Sequence, residues 1–198
     1  MIKHLVFDYG NVLVRFNPNW LYTKVFNGDA KRSRWFNEVV LPQSWVTRLD
    51  AGEPMSAVIA ERQALFPEYA GAIAAYDSRY YEMVGAQVAG MEPLLRRLRR
   101  EGFGLWGLTN WPPKVYHVLA TRPIFALLDG MVISCEERLV KPHPDIYRTL
   151  LARYDLQADE CLFTDDRAEN VLAAEQIGFH GIVFKSAAQF EADLRAMF

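Results

Sequence analysis

The strongest constraint on this chain is a repeating pattern, in which a short apolar run ends at a polar residue and a segment of helical periodicity follows. Lys3 to Phe7 is the first run and stops at Asp8, with Gly10 and Asn11 just beyond. Phe103 to Leu108 stops at Thr109 and Asn110, Met131 to Ser134 is a third run, Cys161 to Phe163 leads into Thr164, Asp165 and Asp166, and Gly181 to Phe184 is a fifth. Continuous rather than alternating apolar runs of this length are the mark of strands buried on both faces. Between them, Met91, Leu94, Leu95 and Leu98 share one helical face, with Gly102 as a stop signal. Pro142 and Pro144 open a segment whose Ile146, Leu150, Leu151 and Tyr154 face one way, and Ala168 to Ile177 forms another helix ended by Gly178. Strands alternating with helices predict a parallel sheet and an α/β fold.

Residues 17–84 break the rhythm. They carry no clear strand but many aromatics, among them Trp20, Tyr22, Phe26, Trp35, Phe36, Trp45, Phe66, Tyr69, Tyr76, Tyr80 and Tyr81. The expectation is an all-helical cap at 17–84 inserted into a core made of residues 1–16 and 85–198. Its aromatics either fill the cap's own interior or face a cleft, and the two arrangements are compatible. Arg15 and Asn17, where the chain leaves the first strand, are candidates for substrate contact or for a hinge stiffened by Pro18.

Composition excludes several classes of function. With 198 residues, 51% of them hydrophobic, the chain can build a well-buried core. Its 22 basic and 24 acidic residues give a formal net charge of -2, so no basic nucleic-acid surface is indicated. The densest basic run, Arg96, Arg97, Arg99 and Arg100, alternates with leucines at helical spacing and is the solvated face of a helix. No run approaches the ~18 apolar residues of a membrane span, and Asp8 comes too early for a signal peptide. Cys135 and Cys161 are expected to be free thiols, and a cytoplasmic protein is expected. Oligomeric state is left open.

In an open parallel sheet, ligands sit at the carboxyl ends of strands where the strand order reverses. Four polar features fall at such ends here: Asp8, Thr109 with Asn110, Lys141, and Asp165 with Asp166. Each alone is a common turn or cap residue; four on one sheet edge are hard to assign to capping. Together they suit phosphoryl transfer. A carboxylate such as Asp8 can attack phosphorus and split one hard step into two. Carboxylates gathered beside a phosphate repel it unless a hard divalent cation with oxygen ligands, such as Mg2+, offsets their charge. Lys141 supplies a point charge and can restrain Asp8, Thr109 a hydroxyl donor, and backbone N–H groups around Gly10 and Asn110 further donors.

The order and local strings of these residues resemble the four motifs of the haloacid dehalogenase (HAD) superfamily. They are Phe7-Asp8-Tyr9-Gly10-Asn11-Val12, Leu108-Thr109-Asn110, Val140-Lys141-Pro142-His143-Pro144-Asp145-Ile146-Tyr147, and Phe163-Thr164-Asp165-Asp166-Arg167-Ala168-Glu169-Asn170 followed by Gly178. The resemblance covers nearly the whole chain outside the insertion. It implies a Rossmann-like core with an inserted helical cap and a phosphatase acting on a small phosphorylated metabolite, of which a sugar phosphate is one candidate. Asp8, Thr109 and Lys141 would be catalytic, and Gly10, Asn11, Thr109, Asn110 and Lys141 would bind substrate. Asp8, the Gly10 carbonyl and Asp166 would hold Mg2+, with Asp165 a supporting or alternative ligand. It also raises the chance of a cis Lys141–Pro142 bond. Gly10 and the adjacent aspartates look most like bacterial α-D-glucose-1-phosphate phosphatases.

One departure matters. Many superfamily phosphatases carry a second aspartate, an acid and base, where this chain has Gly10. Such assistance is worth about 10²–10⁴-fold, so its loss implies a slow enzyme, a good leaving group such as an anomeric phosphate, or a donor from elsewhere. His117 and His143 lie near the motifs but read better as ordinary surface or helix-start histidines, and Trp111 is a candidate pocket wall. Two rival functions follow. A 2-haloacid dehalogenase uses the same aspartate without a metal, but the Asp165–Asp166 pair would repel its carboxylate substrate. A weakened relative that only binds phosphate would follow from Gly10.

Overall fold

The computed structural model describes all of residues 1–198. Seven strands are present: β1 His4–Phe7, β2 Val14–Phe16, β3 Val84–Gln87, β4 Gly104–Thr109, β5 Gly130–Ile133, β6 Cys161–Asp165 and β7 His180–Val183. Five of them form one sheet in the order β5-β4-β1-β6-β7, and every pairing in it is parallel. These are the five apolar runs of the sequence, with ends shifted by one or two residues. The fold is α/β, with helices on both faces of the parallel sheet.

Side chains alternate across β1 and bury in two different cores. Leu5 and Phe7 join a cluster with Met91, Leu95, Phe190 and Leu194, while Val6 joins a second cluster with Ile146, Tyr147, Leu150 and Val171. All three β1 residues are fully buried, which is why this strand lacks a polar face in the sequence. Gly107 in β4 leaves room that the Tyr9 ring occupies, since a Cβ there would overlap the Tyr9 hydroxyl.

Between β1 and β4 the chain makes the excursion that its aromatic content suggests. Helical elements run from Asn19–Val25 to Tyr80–Met83, among them Gln43–Asp50, Met55–Leu65 and Ala70–Ser78. They are flanked by β2 and β3, which pair with each other antiparallel. This two-stranded ribbon is absent from the sequence expectation, because runs of three and four residues carry no periodicity. The inserted helices do not keep a separate interior. Tyr22, Phe36, Trp45 and Tyr76 belong to the same apolar cluster as Leu5, Phe7 and Met91.

Candidate active site

β1 lies at the centre of the sheet, with β4 on one side and β6 on the other. The chain therefore leaves β1 where the strand order reverses, and the carboxyl ends of these three strands converge on a crevice. Asp8 follows β1 directly, and its backbone N–H continues the ladder to the Thr164 carbonyl at 3.0 Å. Gly10 and Asn11 then turn the chain, Asn11 with a φ of 58°. Its side chain fixes the turn at both ends. Oδ1 accepts from the Phe16 N–H at 3.1 Å, and Nδ2 donates to Asp166 Oδ2 at 3.1 Å.

Lys141 is the electrostatic centre. Its side chain is 1% exposed, and its ammonium donates to Asp8 Oδ1 at 2.8 Å, to Asp165 Oδ2 at 2.6 Å and to the Leu108 carbonyl at 2.9 Å. An ammonium has three protons, and here each has an acceptor. Asn110 positions the lysine from the end of β4. Its Nδ2 donates to the Lys141 carbonyl at 2.9 Å and its Oδ1 accepts from the Lys141 N–H at 2.8 Å. The Asn110 amide is thus committed to the loop, and what remains for a ligand is the backbone of this segment. The Lys141–Pro142 bond is cis.

The two adjacent aspartates are differently placed. Asp165 is the last residue of β6 and fully buried. Besides Lys141, it accepts from the Arg167 N–H at 2.9 Å and from Asn170 Nδ2 at 3.0 Å to each oxygen. Asp166, one residue past the strand, is exposed and lines the crevice. Oxygens of Asp8, Asp165 and Asp166 lie within 4.8 Å of one another. Thr109 is fully buried at the end of β4, and its hydroxyl has no partner. A buried donor without a partner costs about 1–3 kcal/mol, so this hydroxyl holds an unused donor, although Thr109 is not among the residues that line the crevice.

Charge follows from this geometry. Burial pushes the Asp8 carboxyl up, Lys141 opposes it, and the nearby Asp165 and Asp166 push it further up. For Lys141, burial disfavours the charged form, but Asp165 and Asp8 outweigh it and the ammonium is held above its ordinary range. Asp166, though open to solvent, is raised, chiefly by the desolvation of its crevice-facing side and against its bond to Asn11.

The crevice is a cavity of about 300 Å³ lined by Asp8, Gly10, Asn11, Asn110, Lys141 and Asp166, and by further residues, of which Gln43, Val46 and Asp50 had no sequence signal as site residues. From the inserted helices come Gln43, Val46, Asp50, Tyr76 and Tyr80; from the core come Arg167 and Asn170. Trp111 and Phe16 form aromatic walls, with ring centroids 5.4 Å apart. Tyr76 and Tyr80 are therefore the cap aromatics that reach the cleft, while Tyr22, Phe36 and Tyr69 pack mainly on one another. Phe16 and Pro18 line the cavity and Arg15 and Asn17 do not. His117 packs at a tilt against Tyr81 and His143 caps a helix, and neither lines the cavity.

Asp50 had no sequence signal beyond a helix end before Gly52. It is 6% exposed, and burial, reinforced by the Asp8 charge and opposed by Lys141 and Arg167, pushes its carboxyl up to about 7.

Comparison with known proteins gives a consistent picture. A family model described as haloacid dehalogenase-like hydrolase matches residues 2–178. The chain is 36% identical over 95 residues to a sesquiterpene phosphatase of Aspergillus oryzae, spanning 48% of each chain. It is 31% identical over 106 residues to flavin mononucleotide hydrolase 1 of Arabidopsis thaliana, 53% of this chain and 43% of that one. To the glyceraldehyde 3-phosphate phosphatase of Pyrococcus abyssi it is 29% identical over 118 residues, 59% of this chain and 49% of that one. The chain thus spans about half the length of these relatives. Among solved structures, a HAD-like family hydrolase from Porphyromonas gingivalis aligns with a TM-score of 0.75 at 23% identity, covering 100% of this chain and 98% of that one. A HAD family enzyme from Bacteroides thetaiotaomicron, in complex with magnesium and inorganic phosphate, aligns with a TM-score of 0.70 at 16% identity, covering 94% and 96%. At such identities the structural likeness speaks for the fold alone.

Proposed function

Because the chain belongs to the haloacid dehalogenase-like hydrolase family, we propose that it is a Mg2+-dependent phosphatase that hydrolyses a small phosphomonoester through an aspartyl-phosphate on Asp8. The observation that carries this reading is the charge arrangement at the sheet edge. Asp8 is tied by one oxygen to a buried ammonium, leaving Oδ2 without a bond to Lys141, beside the carboxylates of Asp165 and Asp166.

The donor set fits Mg2+. Three carboxylates face one lysine, so the cluster is short of positive charge, and its oxygens are the hard ligands that such an ion takes. Asp8, Asp166 and the Gly10 carbonyl are the residues that would hold it; Asp165, whose oxygens already accept from Lys141, Arg167 and Asn170, would support them. When bound, the cation offsets the negative charge of phosphate and carboxylates.

The chain's own residues do the rest. Asp8 attacks phosphorus, the bond from phosphorus to the leaving oxygen breaks, and water later hydrolyses the aspartyl-phosphate. Lys141 holds Asp8 in place and offers its charge to the phosphoryl oxygens. The Thr109 hydroxyl donates to one of those oxygens, with backbone N–H groups near Gly10, Asn11 and Asn110 as further donors. A cavity of about 300 Å³ suits a small leaving group, and a sugar phosphate is the substrate class we favour. The relatives named as phosphatases act on phosphate esters with quite different leaving groups, which supports the phosphoryl end of this proposal more than any one substrate. The same cluster disfavours metal-free dehalogenation, because it would repel the carboxylate of a 2-haloacid.

The test is a screen of phosphorylated metabolites and p-nitrophenyl phosphate for released phosphate. Turnover should require Mg2+, stop with EDTA and be lost in Asp8→Asn, which keeps the shape of the side chain. Turnover retained by D8N, or full activity in EDTA, would refute the proposal.

A further inference from the structure

We propose that Asp50, delivered from the inserted helices, is the general acid and base of this site and does the work for which Gly10 has no side chain. The inference rests on the phosphatase reading above and adds a catalytic residue to it. Nothing steric forces a glycine at position 10. A Cβ there would have Asp8 Oδ2 and Trp111 as its nearest neighbours at 3.9 Å, an ordinary contact distance. The proton carrier is therefore missing from β1's own turn while another carboxyl lines the same cavity.

Asp50 ends the helix Gln43–Asp50. It is 6% exposed, lines the cavity with Asp8, and its carboxylate enters no ion pair or hydrogen bond within the protein. A buried, unpaired carboxyl is costly and persists where something else uses it. Its placement is built rather than incidental. The Asp50 carbonyl accepts from the Ser134 hydroxyl at 2.6 Å, and Ser134 Oγ in turn accepts from the Trp111 N–H at 2.9 Å. Two residues on, Gly52 has a φ of 81°, and a Cβ there would lie 2.5 Å from the Cys135 carbonyl oxygen. The helix end is thereby pressed onto the core beside the second motif. The groups that bear on Asp50 are Asp8, Lys141 and Arg167 from the core, with Tyr76, Tyr80 and Cys135 close enough to feel its charge. Burial keeps its proton available near neutrality.

In-line displacement puts the leaving oxygen on the side of phosphorus away from Asp8, where the inserted helices line the cavity. In the first step, Asp8 Oδ forms a bond to phosphorus, the bond from phosphorus to the ester oxygen breaks, and that oxygen takes the Asp50 proton. In the second, water attacks phosphorus from the vacated side, its proton passes to the Asp50 carboxylate, and the bond from phosphorus to Asp8 breaks. Both residues return to their starting state.

Asp50→Asn in the Mg2+-loaded enzyme tests this with two substrates, an alkyl phosphate and p-nitrophenyl phosphate. kcat/KM reports the steps through departure of the leaving group. It should fall about 10²–10³-fold for the alkyl ester and less than about tenfold for the aryl ester, whose nitrophenolate leaves unprotonated. With the aryl ester, dephosphorylation then limits turnover, and a burst of nitrophenolate should appear. Equal losses in kcat/KM on both substrates, meaning a binding or positioning role, would overturn the proposal, as would an unchanged rate on the alkyl ester. Wild-type turnover lost in D8N is the control for the underlying reading. If wild type turns over neither ester, that reading fails first and separately.

Discussion

Lys141→Met offers a quantitative test of the site's electrostatics. The ammonium contacts carboxylate oxygens of Asp8 and Asp165 at 2.8 and 2.6 Å. At an effective dielectric near 20, each contact is worth about 6 kcal/mol of gross attraction, largely offset by the cost of desolvating three charges. Methionine fills the space of the stem but removes the ammonium from two buried carboxylates and the Leu108 carbonyl, leaving Asp165 only the Arg167 N–H and the Asn170 amide. Removing one partner of such a buried cluster costs about 3–5 kcal/mol, which for a chain of this size lowers Tm by roughly 10 °C. The sign with pH is specific. Without the lysine, which opposes the rise, Asp8 sits further above its unfolded value. A carboxyl raised in the folded state contributes stability below its unfolded pKa and loses it as pH rises through the folded value. The penalty of K141M must therefore grow from about pH 4 to pH 8, whereas wild type keeps the lysine's contribution until pH exceeds 10.5, the ordinary lysine value above which Lys141 is held. Urea unfolding of both proteins at pH 4.5 and pH 8, without Mg2+, measures this. A penalty under 1 kcal/mol at pH 8, or one equal at both pH values, would refute the account of Lys141 as the charge that holds the site together.

Three further outcomes follow. Thr109→Val removes a buried hydroxyl that has no partner in the free protein, so thermal stability should hold or rise by about 1 kcal/mol, while kcat falls about 10²-fold or more; a clear loss of stability would contradict it. Asp50→Asn should gain stability with pH. The wild-type carboxyl stands at about 7 instead of 3.8, so its cost sets in between those values and reaches at most about 4 kcal/mol above them. Melting curves should coincide near pH 3.5 and favour the variant at pH 8, and the reverse order at pH 8 would exclude a strained carboxylate. Gly107→Ala drives a methyl into the buried Tyr9 ring and should cost about 1–3 kcal/mol in chemical denaturation, whereas a neutral effect would mean that Tyr9 is freely displaced.

Some features escaped the sequence reading although signals existed. The final helix, Ala187–Arg195, begins with a capping box in which Ser186 and Gln189 bond each other's backbone, a spacing visible in the chain itself. The ribbon of Val14–Phe16 and Val84–Gln87 had no such signal. Each of its strands is defined only by a partner about 70 residues away, and local periodicity cannot report that.

The sequence by itself determined the five-stranded parallel sheet and pointed to Asp8, Thr109, Lys141 and the late aspartates as the polar residues at its edge. Strands buried on both faces must be apolar throughout, and the polar residues that end them mark one edge. Only the tertiary structure separated Asp165 from Asp166. The last residue of β6 turns into the interior to saturate Lys141, whereas its neighbour, one step past the strand, faces the crevice. It also brought in Asp50, which in sequence is simply the end of a helix. Burial beside Asp8 arises from contacts with Ser134 and Cys135, over 80 residues away, and such long-range packing, rather than residue type, is what turns a surface carboxylate into a proton carrier.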